Sequence, residues 1–168
     1  ASTMRNEIQF GHLERPTHTN TPYDAAKFEV SNHKWTDISE NRYGVAILND
    51  CKYGISAHGS DLRLTLHKGG CRPDPRGDVG VHQMTYSLLP HNSGFTTESV
   101  IRPAYELNCP MQAVPGTPPR SLPPLVAVDA PNVIVEAIKH AEDEQAYVIR
   151  LYEPERSATK TTLSFGFL

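Results

Sequence analysis

The chain has little to cross-link it and nothing to anchor it. Its three cysteines, Cys51, Cys71 and Cys109, stand far apart and form no Cys-x-x-Cys pair. Spacing therefore implies no disulfide framework, and they read as reduced thiols of an intracellular protein, with one bridge plus a free thiol as the other arrangement. No apolar run approaches the roughly 20 residues that span a bilayer, and the opening residues lack the pattern of a secretory leader. Neither sign of charge predominates. Sixteen Lys and Arg against 19 Asp and Glu give a formal net charge of -3, without a basic stripe or an acidic tail. The expected partners accordingly exclude nucleic acid and membranes.

What the chain has instead is turn chemistry and period-two alternation. Met4 to Phe10, Ala26 to Val30, Leu62 to Leu66 and His82 to Leu88 alternate polar with apolar residues, and Tyr43 to Leu48 is a mostly apolar run. Each reads as a strand. They are separated by Asn20-Thr21-Pro22, Asn49-Asp50, His58-Gly59-Ser60-Asp61 and Pro73-Asp74-Pro75-Arg76-Gly77, which are turn formers. One stretch differs. Val100, Ile101, Ala104, Tyr105 and Leu107 fall near helical spacing, which predicts a short helix capped by Thr97 or Ser99, with Pro103 in its first turn.

Residues 115–124 contain five prolines and predict a stiff connector. Beyond it, Val133 to Lys139, Ala146 to Tyr152 and Thr161 to Phe167 read as a three-stranded meander. The expectation is an all-β chain of antiparallel sandwich type, with one unit over 1–120 and a second over 121–168. The second is too short to bury a good core alone and is expected to pack on the first unit or on further sequence. The apolar finish at Leu163 to Leu168 suggests a piece of a longer protein.

Several groups invite chemistry. Asp74, Asp78 and His82 recur every four residues, and His82 and His91 flank a predicted strand, yet neither spacing converges on one point in an extended chain. A metal-dependent enzyme built on His82 and His91 remains one reading. Asp37 with Glu40, or Asp74 with Asp78, would be near enough for a glycosidase pair, but acidic residues in loops commonly bond their own backbone. Asn49 to Gly54 reads either as a tight hairpin capped by Asp50 or as a buried Asp50–Lys52 contact. Trp35 reads either as an anchor of its loop or as a platform for stacking a sugar.

The order of motifs carries more than any one of them. Glu14 to Thr21 leads to His33-Lys34-Trp35-Thr36-Asp37-Ile38-Ser39-Glu40, then to Tyr43-Gly44-Val45 and Leu48-Asn49-Asp50-Cys51-Lys52-Tyr53-Gly54. Next come Pro73-Asp74-Pro75 with Asp78, Gly80, His82, Thr85-Tyr86 and Leu89-Pro90-His91, and later Tyr105 to Asn108. This succession resembles the C-terminal β-region of glycoside hydrolase family 38 α-mannosidases over nearly the whole chain. The resemblance implies a galactose-mutarotase-like supersandwich followed by the start of a small C-terminal β-sandwich. It implies a cytoplasmic parent acting on terminal α-mannose of oligosaccharides, with its nucleophile and zinc in an N-terminal barrel joined by a helical domain, and possible homo-oligomers. No catalytic residue, metal ligand or cofactor site is expected within this chain, which is expected to be inactive alone and to brace the barrel and wall its cleft. The alternative is a carbohydrate-binding β-sandwich using Trp35 and exposed tyrosines. Where the family often shows Leu-Arg-Ser-Pro, this chain has His67-Lys68-Gly69-Gly70, which replaces a forked cation with a point charge. Lys68, Asp74 and Trp35 are the residues expected nearest to substrate.

Overall fold

The computed structural model describes residues 1–92, 94–117 and 123–166. Its first sheet has five antiparallel strands in the order β2-β1-β4-β5-β8. These are β1 (Thr3–Ile8), β2 (Gly11–Pro16), β4 (Trp35–Ser39), β5 (Gly44–Asn49) and β8 (Tyr86–His91). A second sheet, ordered β3-β6-β7, joins β3 (Val30–Ser31), β6 (Gly54–His58) and β7 (Asp61–Thr65).

Alternation along the strands builds two layers on the large sheet. In β5, Ala46 and Leu48 point to one face and pack with Trp35, Val100, Ile101, Ala104 and Ile134. The opposite face bears Val45 and Ile47, which share a groove with Leu62 of β7. The small sheet thus lies over one face of the large sheet and the helical segment over the other. This is the expected all-β, antiparallel architecture with a small helical element.

That element is capped by Thr96, one residue before Thr97 and three before Ser99, the two expected caps. Thr96 Oγ1 accepts from the Ser99 amide at 3.0 Å, and Ser99 Oγ accepts from the Thr96 amide at 2.9 Å, a reciprocal capping box. One π-helical turn (Thr97–Ile101) leads into α2 (Arg102–Asn108), with Pro103 in its first turn.

Four expectations are corrected. Ala26 to Val30 is no strand: Thr21 accepts from the Asp24 amide and Pro22 opens helix α1 (Pro22–Ala26), leaving only Val30 and Ser31 extended. Asn49 to Gly54 is no hairpin, because β5 and β6 belong to different sheets. The segment predicted over His82 to Leu88 is extended only from Tyr86. The last three segments form no meander either. β10 (Ile134–His140) pairs with β11 (Tyr147–Tyr152), but β12 (Leu163–Phe165) pairs with β9 (Val126–Val128). Asp129 causes part of this by accepting from the Thr162 amide and the Thr161 hydroxyl, each at 2.8 Å.

The boundary expected near residue 120 lies outside the described residues. The segment beyond it does pack on what precedes it. Ile134 enters the main core, His12 Nδ1 bonds the Pro154 carbonyl at 2.9 Å, and Arg156 donates to the His12 carbonyl at 2.7 Å. Glu155 accepts from the Thr97 amide at 2.6 Å. Cys51, Cys71 and Cys109 are free and exposed. No helix among the described residues is long and apolar enough to cross a membrane.

Candidate functional site

The most distinctive motif runs from Lys34 into strand β4 and contributes to two polar clusters. Asp37 is 0% exposed. Its Oδ1 lies 2.8 Å from His91 Nε2 on β8, and its Oδ2 accepts from the Ser39 hydroxyl at 2.7 Å. Arg5 on β1 reaches the same carboxylate at 3.8 Å, donates to Ser39 Oγ at 3.1 Å and to Glu14 at 3.0 Å, and sits over the Phe95 ring. A buried charge is tolerable when it is paired and hydrogen-bonded in this way.

The Asp37–His91 pair has the look of a base with its orienting group, but its serine is misplaced for that task. Ser39 donates to the carboxylate, whereas an activated nucleophile must donate to the imidazole. The arrangement ties β1, β4 and β8 together.

The second cluster is centred on Lys34. Glu7 accepts from its backbone amide at 2.6 Å and pairs with its ammonium at 2.9 Å. The ammonium also lies over the Tyr105 ring, 4.5 Å from the centroid, a cation–π contact. Burial opposes the Lys34 charge, but the bond and charge of Glu7 outweigh it and raise its pKa. Tyr105 and Tyr152 share a hydroxyl–hydroxyl bond of 2.9 Å. Burial, then Tyr105, pushes the Tyr152 hydroxyl far above the usual tyrosine range, so it remains neutral.

The three residues expected nearest to substrate are not brought together. Trp35 is 1% exposed, with its ring against Phe95 (4.9 Å between centroids) and His12 (6.0 Å). Its faces are occupied by core side chains, which is how an anchor packs. Lys68 is exposed and lies 3.6 Å from Glu29, whose carboxylate is held low in pKa mainly by the Thr65 hydroxyl. Asp74 is exposed in a different turn, accepting from the Arg76 amide at 2.9 Å.

Asn49 to Gly54 holds neither a hairpin nor an Asp50–Lys52 contact. Asp50 accepts from the Thr85 amide through both oxygens at 3.0 Å and so fixes the start of β8. The Cys51 thiol and the Thr85 amide lower its pKa. Asn49 holds the crossing: fully buried, it donates to the His33 carbonyl and accepts from the Lys52 amide, each at 2.7 Å. Sequence reasoning gave Asn49 only a turn and overlooked Arg5 and Glu7. Only the polar residues Asn6 and Glu7 within an otherwise strand-like run signalled a buried polar layer.

His82 and His91 do not converge. His91 faces Asp37 in the interior, while His82 is exposed, bonds the Asp78 carbonyl at 2.6 Å and lies tilted against the His67 ring. Among the described residues no three His, Cys, Asp or Glu side chains are placed to hold a metal ion.

Comparison with known proteins finds family models and relatives that match most of the chain. Residues 1–76 match the model of the "Glycosyl hydrolases family 38 C-terminal domain", and residues 132–168 match the "Glycosyl hydrolases family 38 C-terminal beta sandwich domain". The chain is 47% identical to alpha-mannosidase 2C1 of Homo sapiens over 94% of its length, and 43% identical to alpha-mannosidase G of Dictyostelium discoideum over 100%. It spans only 16% of the length of each of these curated relatives. A solved family 38 glycosyl hydrolase from Enterococcus faecalis superposes with a TM-score of 0.78 at 14% identity, covering 100% of this chain and 21% of that one. That last likeness shows the fold.

Proposed function

We propose that this chain, which belongs to glycoside hydrolase family 38 as part of its C-terminal β-region, is a non-catalytic scaffold of an α-mannosidase. In this reading the parent hydrolyses terminal α-mannose of oligosaccharides, and the chain braces its catalytic barrel and walls the cleft. The parent acts in the cytoplasm, and its nucleophile lies in sequence outside these residues.

One observation carries the proposal. The motif residues Lys34, Trp35, Asp37 and Ser39 are all engaged in interior contacts with β1, β8 and the helical segment. They rigidify a wall and present no converging acids to solvent. Rigid walls of this kind position groups that other elements supply. In this reading the ligands of the zinc that the family resemblance implies lie elsewhere in the parent.

Lys68 is the expected substrate-side residue that best fits a cleft wall, being an exposed cation with a 77% accessible side chain. In the full-length parent, Lys68→Ala should raise KM or lower kcat for α-mannosides, and unchanged kinetics would remove that role. The proposal as a whole is tested by incubating the 168-residue chain and the full-length parent with a chromogenic α-mannoside in the presence of zinc. Turnover by the parent alone is expected; turnover by the isolated chain would refute it.

A further inference from the structure

The sandwich is open along one side. β8 pairs only with β5, and β7 only with β6, so among the described residues each has one edge without a neighbouring strand. Between them runs an apolar groove formed by two hollows of about 380 and 330 Å³. Ile38, Val45, Ile47 and Leu88 of the large sheet and Leu62 and Leu64 of β7 line it. At its margin Leu88 is 67% and Tyr86 60% exposed. Open strand edges and contiguous exposed apolar side chains mark surfaces that another element covers.

We propose that this groove seats a strand supplied by the segment preceding Ala1 in the full-length parent, laid along β8 with every second side chain in the hollows. Two facts select that occupant. The chain spans 16% of the length of its relatives, so abundant polypeptide is at hand, and Ala1 itself lines the first hollow, so a residue joined to it starts inside the groove. A strand suits the site better than a small polar ligand. It satisfies the backbone groups of β8 by sheet extension, and its alternate side chains match a mainly aliphatic lining. The inference rests on the scaffold reading and specifies which face of the scaffold is docked.

The test uses the full-length parent carrying Leu88→Asp, with Val81→Asp as control, because Val81 is exposed and does not line the groove. Leu88→Asp should lower Tm by about 2–4 °C more than the control and leave the molecular mass in solution unchanged. Hydrogen exchange in the unaltered parent should be slow at the β8 amides that point away from β5 as well as at those that β5 already holds. Leu88→Asp should then speed exchange at 86–91 and in a peptide upstream of Ala1. Equal melting of both variants with rapid exchange at the β8 amides that point away from β5 would overturn the inference. So would a drop in mass, which means a second copy covers the groove, or acceleration confined to peptides downstream of Leu168. None of these outcomes bears on whether the isolated chain turns over a mannoside, so the inference can fail while the scaffold reading stands.

Discussion

Gly44 lies opposite His91 across the β5–β8 pair and makes room for its ring to reach Asp37. A Cβ at position 44 would run into the His91 imidazole and the Ser39 side chain at once. Both neighbours are held by Asp37, so neither can give way without loosening the buried carboxylate. Gly44→Ala should therefore destabilise the protein by about 1–3 kcal/mol, as overpacked cores do. Denaturant unfolding would show a lower midpoint at unchanged slope; an unaltered midpoint would mean that the cluster is loose.

Trp35 offers a larger effect. It is the largest fully buried side chain and packs against Phe95 and His12. Trp35→Ala should cost about 3–5 kcal/mol. Trp35→Phe should cost less and leave any binding of mannose oligosaccharides by the parent unchanged in calorimetric titration. Selective loss of glycan binding by a well-folded Trp35→Phe protein would restore the sugar-platform reading.

Asn49 tests the crossing between sheets. Asn49→Ala leaves the His33 carbonyl and the Lys52 amide without their partner and should cost about 1–3 kcal/mol. Asn49→Asp should not rescue it, since a carboxylate can still accept from Lys52 but cannot donate to His33. Full rescue by Asp in thermal melts would contradict this assignment.

His12 predicts an acid-sensitive contact between β2 and the segment after β11. Burial first, then the nearby Arg156, lowers its pKa below the ordinary 6.5; the Pro154 carbonyl and Glu14 oppose this, and Arg5 adds to it. The unfolded chain thus binds a proton that the folded chain resists. Stability from this source is complete above 6.5 and is lost as pH falls below that value toward the folded pKa. Unfolding midpoints measured across this range should decline with acid. The decline should be shallower in His12→Asn, and identical slopes would remove His12 as its origin.

The sequence made strands legible where alternation follows half-burial, as in β7, and where an apolar run enters the core, as in β5. It misled where local capping outranked alternation, as when Thr21 and Pro22 nucleate α1 and shorten β3. Strand partners were legible only in hairpins. The pairing of β12 with β9 depends on Asp129 meeting Thr161 and Thr162 across a long separation, which no local pattern encodes. The motif residues were visible as a set, but their purpose was not. Asp37 and His91 are separated by 54 positions, and only the fold shows that Ser39 bonds the carboxylate and not the imidazole.

The scaffold account is tested most directly by Asp37→Asn in the full-length parent, with thermal melting and steady-state mannoside kinetics measured on the same sample. The account predicts a lower Tm, with kcat per folded molecule within about twofold of the unaltered enzyme, because a structural tie acts through stability and not through the reacting atoms. A loss of kcat of about a hundredfold or more at unchanged Tm would make Asp37 part of the chemistry and contradict it.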